Sequence, residues 1–129
     1  MKAAYSFTKL VVSDLDAMAR YYREVYGLTE LQRVKSEIDG SPMDEIILGI
    51  DGEHGGLILL NWIGRAAPSG EVILGFTTPD IASLFGRAES AGGTVREAPM
   101  ERPEAGGLKV GFITDPEGHL AEVVEMVAP

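Results

Sequence analysis

Apolar and polar positions run along this chain in two rhythms. Phe7-Thr8-Lys9-Leu10-Val11-Val12 alternates as a strand does, with Thr8, Leu10 and Val12 on one side and Phe7, Lys9 and Val11 on the other. From Leu15 the period lengthens: Leu15, Met18, Tyr21, Tyr22 and Val25 share one stripe of a helix, and the paired tyrosines read as core. Ser13 or Asp14 is placed to cap that helix, and Gly27 supplies a left-handed stop.

The pattern then repeats. Val72 to Thr77 is strand-like, with Val72, Leu74 and Phe76 facing the helix and Glu71, Ile73, Gly75 and Thr77 facing away. Thr78-Pro79-Asp80 leads into a second helix with Ile81, Leu84, Phe85 and Ala88 as its apolar stripe, and Gly92-Gly93 ends it. Asp14 and Asp80, Leu15 and Ile81, and Gly27 and Gly93 are each 66 residues apart, which reads as an internal duplication. Three strands follow each helix: Glu30 to Lys35, Asp44 to Ile50 and Leu57 to Trp62, then Thr94 to Ala98, Lys109 to Thr114 and Leu120 to Met126. Asp51 to Gly56 and Asp115-Pro116-Glu117-Gly118 supply hairpin turns. Pro99 to Gly107, rich in Pro and Gly, reads as a mobile lid beside the site. The predicted fold is α+β: one domain over 1–129, with a βαβββ module at about 1–64, a linker at about 65–70 and a second module at about 71–129.

Composition narrows the chemistry. There is no cysteine, which removes disulfides, thiolate metal sites and a thiol nucleophile together. The two histidines, His54 and His119, are too few for a histidine-rich metal site; His54 falls in a glycine-rich turn, and His119 reads as a turn residue rather than a base. A net charge of −9 disfavours nucleic acid as a partner. No apolar run approaches the roughly 18 residues of a membrane helix, and the start Met1-Lys2-Ala3-Ala4-Tyr5 is unlike a secretory signal, so a cytoplasmic location is expected. No glycine-rich stretch has the spacing of a phosphate-binding loop.

Three segments carry a family resemblance. They are Leu10-Val11-Val12-Ser13-Asp14-Leu15-Asp16 with Tyr21-Tyr22-Arg23-Glu24-Val25-Tyr26-Gly27-Leu28, then Gly75-Phe76-Thr77-Thr78-Pro79-Asp80-Ile81, then Thr114-Asp115-Pro116-Glu117-Gly118-His119-Leu120-Ala121-Glu122. In this order they resemble the vicinal-oxygen-chelate superfamily, which includes glyoxalases, bleomycin-resistance proteins and extradiol dioxygenases. The resemblance implies two βαβββ modules in a curved mixed sheet around a concave cup. It also implies four metal-ligand positions. The first lies seven residues before the helix-start Asp, at Phe7 (14 − 7), and its repeat is Ile73 (80 − 7). The next falls near Leu59, with Asn61 following on the same face, and the last is Glu122, four residues after Gly118. Phe, Leu and Ile donate no lone pair, so no divalent metal or other cofactor is expected, and metal-dependent glyoxalase and extradiol dioxygenase activities are disfavoured.

Three functions stay open. One is a metal-free small-molecule-binding protein of the bleomycin-resistance kind, taking an aromatic or cationic ligand among Phe7, Lys9, Leu59, Asn61, Trp62, Ile73 and Glu122. The second is a lyase or isomerase with Glu122 as its catalytic acid/base. The third is a non-catalytic accessory dimer whose cup is filled by its own side chains. Alternation through Leu120, Glu122 and Val124 puts Glu122 in the cup, with Lys9 as counter-charge. Trp62 lines a pocket or dimer interface or is simply buried. An apolar sheet face of Phe7, Val11, Leu57, Leu59, Ile73 and Leu120 predicts a homodimer.

Overall fold

The computed structural model describes residues 7–38, 40–50, 54–66, 72–103 and 106–126, with main chain only at 50, 54 and 55. The elements follow the order β1 (Thr8–Val11), α1 (Leu15–Tyr26), β2 (Thr29–Ile38), β3 (Ser41–Ile50), β4 (His54–Trp62), β5 (Ile73–Thr78), α2 (Ile81–Ser90), β6 (Thr94–Glu101), β7 (Lys109–Thr114) and β8 (Leu120–Glu125). They make two open four-stranded mixed sheets, β1-β4-β3-β2 and β5-β8-β7-β6, one from each of the two expected βαβββ modules. In each, the first strand of the module pairs in parallel with the last, and the remaining pairs are antiparallel. The chain divides into two compact units, Met1–Arg23 with Gly27–Ser69, and Glu24–Tyr26 with Gly70–Pro129. No helix among the described residues is long and apolar enough to cross a membrane.

Both helices start on a side-chain cap. Asp14 Oδ1 accepts from the Ala17 amide at 3.1 Å, and Asp80 Oδ1 accepts from the Ser83 amide at 3.1 Å. The Ser83 hydroxyl and amide together hold the Asp80 carboxyl below its ordinary pKa. Gly27 ends α1 in the left-handed conformation at φ 73°. The last strand of each module ties down its strand-to-helix loop. Asn61 Nδ2 donates to the Val12 and Ser13 carbonyls at 3.0 and 3.1 Å, and Glu125 Oε2 accepts from the Ile81 amide at 3.1 Å.

In the second unit the helix-covered face follows from Gly111, whose missing Cβ leaves room for the Phe85 ring of α2. Residues directly opposite across a ladder share a face, so Gly111, Val123 and Phe76 lie beneath α2. Ala121, Val123 and Ile113 on that face are at most 3% exposed. Tyr26, from the turn of α1 that groups with this unit, stacks on Phe76 with ring centroids 3.7 Å apart. In the first unit, the 66-residue offset maps Phe76 onto Leu10. Leu10, Leu59 and Ile46 form one row across β1, β4 and β3, at most 2% exposed. Leu59 therefore belongs to the core beneath α1, as does Leu57, which pairs with Leu48 on the same face. Neither lies on the helix-free face or adds to an exposed apolar patch.

The strands differ from expectation in length. β2 and β3 each run further and meet in a tight hairpin, with Ile38 opposite Ser41 and Gly40 at φ 77°. The segment read as a lid begins inside a strand: Pro99 to Glu101 belong to β6, where register shifts after Val95 and Glu97 accommodate the proline. The turn that follows is closed by main-chain bonds from Gly107 to Arg102 (2.9 Å) and from Arg102 to Leu108 (3.0 Å). Residues 104–105, most of the linker and residues 51–53 lie outside the described residues.

Candidate functional site

Each sheet has one face covered by its helix and one free of it. On the second unit's helix-free face, Gly75, Glu122 and Phe112 form the middle row across β5, β8 and β7, and Ile73 sits opposite Leu120 in the row before. Ile73 is 54% exposed, and Gly75, Thr77 and Glu122 are exposed as well. Glu122 thus stands on a central strand, on the side away from α2, within an otherwise largely apolar surface. The side predicted from alternation is the one observed.

The register of β8 is fixed from its turn. Asp115, 5% exposed, accepts from the amides of Glu117 and His119, both at 2.9 Å. Its other oxygen lies 2.7 Å from His119 Nδ1. His119 is a half-buried member of this clasp, within the hairpin as read from the sequence. His54 opens β4, and its side chain is outside the described set.

On the first unit's helix-free face, the strands place Lys9, Ile58 and Ile47 in one row and Val11, Leu60 and Glu45 in the next. Lys9 Nζ lies 2.5 Å from Glu45 Oε2, reaching across β4. The ammonium also sits 5.8 Å from the centre of the Phe7 ring, which is 47% exposed. Lys9 therefore answers Glu45, and its assignment as counter-charge to Glu122 is replaced. Trp62 lies on this face opposite Met43, partly buried, with the Arg65 guanidinium 3.9 Å above its ring. Asn61 points the other way, into the α1 loop, and acts as a structural latch rather than a ligand contact.

The metal-ligand positions can be mapped again from the observed register. Glu122 pairs with Gly75, Gly75 maps onto Lys9 (75 − 66 = 9), and Lys9 pairs with Ile58. The first unit's counterpart of Glu122 is thus Ile58, not Leu59. The substitution changes the address and not the chemistry. The first unit contributes Phe7 and Ile58, and the second contributes Ile73 and Glu122. As a donor set, one carboxylate and three hydrocarbon side chains do not fit a divalent ion. Among the described residues no three His, Asp or Glu side chains gather in a way that could hold a metal ion.

Two βαβββ units, each with a helix-free sheet face, define a fold shared by a recognisable class of proteins. Residues 5–123 match the Glyoxalase/Bleomycin resistance protein/Dioxygenase superfamily, and the chain belongs to it. It is 26% identical over 119 residues to a lactoylglutathione lyase of Arabidopsis thaliana, covering 88% of this chain but 41% of the plant protein. Its fold is similar to a glyoxalase family protein from Bacillus cereus, at TM-score 0.81, 16% identity and coverage of 95% and 93% of the two chains. It is also similar to a glyoxalase I mutant from Zea mays, at TM-score 0.73 and 22% identity, covering 93% of this chain and 45% of that one.

Proposed function

We propose that this chain binds a small aromatic or cationic molecule on its helix-free sheet surface, without a metal ion. The observation that carries the reading is that Ile73 on β5, 54% exposed, and the exposed carboxylate of Glu122 on the adjacent strand β8 share the helix-free face, one row apart. A solvent-facing apolar patch around one acidic group suits an organic cation with a flat apolar body. Benzylamine at millimolar concentration is expected to raise the melting temperature. Glu122→Gln should fold like the parent, because the carboxylate is exposed, and should lose that shift. Metal analysis of the purified chain is expected to find far less than one divalent ion per chain. An equal shift in the variant, or a tightly held stoichiometric ion, would overturn the reading.

The similarity to lactoylglutathione lyase favours a second reading, in which Glu122 moves a proton as acid or base in a lyase or isomerase. Formation of lactoylglutathione that disappears in Glu122→Gln would establish it over simple binding. A homodimer is also proposed. Phe7 and Ile73, 47% and 54% exposed, are large apolar side chains on helix-free faces, and a second copy would cover such groups. Sedimentation at micromolar concentration should give twice the chain mass; a monomer would remove the proposal. A dimer that binds none of the probes would instead favour the accessory role.

A further inference from the structure

Gly27 and Gly111 each have a reason in the fold: one ends α1 at positive φ, and the other makes room for the Phe85 ring. Gly86 has neither. It lies inside α2, and a Cβ built there would meet nothing within 4 Å. A glycine inside an exposed helix turn weakens the helix relative to alanine. What its bare backbone leaves is space. Gly86 is part of the lining of an open hollow of about 550 Å³, with Glu24, Arg87, Ser90 and Ala91. Glu24 comes from the turn of α1 that groups with the second unit, and the others come from α2 and its C-cap. The hollow lies beside the exposed side of α2, so it is separate from the sheet surface that carries Glu122.

Its walls carry one charge of each sign. Arg87 Nε and Nη2 donate to the Val25 carbonyl at 3.3 and 3.1 Å, in the last turn of α1, where helical donors run out. That holds the guanidinium in place and leaves its Nη1 hydrogens unused by the described residues. The Glu24 carboxylate and the Ser90 hydroxyl also make no hydrogen bond or ion pair with the described residues. Two opposite charges thus line one hollow without answering each other. An anion alone would face Glu24, the negative ends of two helices and a chain carrying −9. A cation alone would face Arg87. A molecule with both charges meets a partner for each.

We infer that this hollow is a second binding site, for a small zwitterion of the amino-acid kind. Its carboxylate takes the free side of the Arg87 guanidinium and the Ser90 hydroxyl. Its ammonium takes Glu24, and its apolar body lies over Gly86 and the Ala91 methyl. The inference goes beyond the sheet-surface reading and does not depend on it.

The Gly86 amide signal in a nitrogen–proton NMR spectrum reports on the hollow directly. Three probes of one shape separate the chemistries at neutral pH: leucine (zwitterion), N-acetyl-leucine (anion) and leucine amide (cation). Leucine is expected to move the Gly86 signal saturably with a Kd of about millimolar, within reach of so small a molecule. Each singly charged probe should bind about fivefold more weakly, the loss of one solvent-exposed charge contact. Gly86→Leu fills the hollow with a better helix former, so the variant should fold at least as well as the parent and lose saturable binding of leucine, read at the Ala91 amide. Glu24→Gln should weaken leucine about fivefold and leave N-acetyl-leucine no weaker than before. No movement of Gly86 with leucine at tens of millimolar would overturn the inference. So would equal binding of either singly charged probe, or an unchanged leucine Kd in folded Gly86→Leu. A Gly86 signal that moves with protein concentration alone would assign the hollow to a second copy of the chain and overturn it too. The benzylamine response through Glu122 is read separately, so either reading can fall while the other stands.

Discussion

Replacing Gly111 by alanine is expected to destabilise the fold by about 3 kcal/mol, the upper part of the range for overpacking a filled core. In a domain of this size that lowers the melting temperature on the order of 10 °C. A Cβ built at Gly111 would lie 2.6 and 2.8 Å from two carbons of the Phe85 ring and 3.2 Å from the Glu97 carbonyl oxygen. The ring cannot simply swing aside, because Phe85 is 5% exposed and is part of the stripe that seats α2 on its sheet. The carbonyl belongs to the backbone of β6 and can yield even less. Gly111 has an ordinary backbone conformation, so the effect is one of space alone. Two controls isolate it in urea titrations. Phe85→Leu in the alanine background should recover part of the loss, a coupling that a double-mutant cycle measures. Gly86→Ala, on the exposed side of α2 with nothing within 4 Å, should gain about 1 kcal/mol from helix propensity. A neutral Gly111→Ala would show that Phe85 does not rest on β7.

Lys9→Met is expected to cost about 2 kcal/mol. Removing one partner of a buried ion pair costs roughly 3–5 kcal/mol, because the other charge is left buried and unanswered. The lower figure applies here because the Lys9 side chain is 31% accessible, so water already screens the pair. Adding Glu45→Leu should return stability to within about 1 kcal/mol of the parent, since an apolar replacement of both members is often neutral or better. Equilibrium unfolding of the four proteins of this cycle gives the coupling directly. If Lys9→Met matched the parent, Glu45 would have to be reached by water or another cation, and the pair would not hold Lys9 in place.

The repeat explains how much of this fold can be read from the chain alone. Helices with apolar stripes, aspartate caps and glycine stops are local signals, and α1 and α2 lie within a residue or two of their predicted bounds. The strands from β5 and β8 also show their faces, because Leu74 and Phe76, or Ala121 and Val123, alternate with residues left in solvent. In β4 that signal is missing. Leu57, Ile58, Leu59 and Leu60 are all apolar and all at most 8% exposed, so no alternation tells which pair lies under the helix. The face of Leu59 and Asn61 was therefore assigned wrongly, and the repeat offset could not correct it, since Ile58 and Glu122 are 64 residues apart rather than 66. Glu45 was missed for a related reason. A charge in a strand usually faces water, and only the long-range pairing of β1 with β4 and of β4 with β3 brings Lys9 within reach of it. One signal was available: Glu45 alternates with Met43 and Ile47, an acidic side chain on an apolar row.

The Asp115 clasp sets what kinds of sequence change this surface can absorb. With three donors converging on one carboxylate, the β7–β8 turn has a fixed length, and every residue of β8 inherits its side of the sheet from that count. A residue inserted after Gly118 would turn Glu122 inward beneath Phe85 and push Val123 into water, reversing inside and outside along the whole strand. Substitution at Ile73, Thr77 or Glu122 touches neither the turn nor the buried row, because these side chains stand on the exposed side. The hairpin is closed to changes of length and the surface is open to changes of identity. Side chains there can therefore be exchanged one at a time on a core that never has to repack.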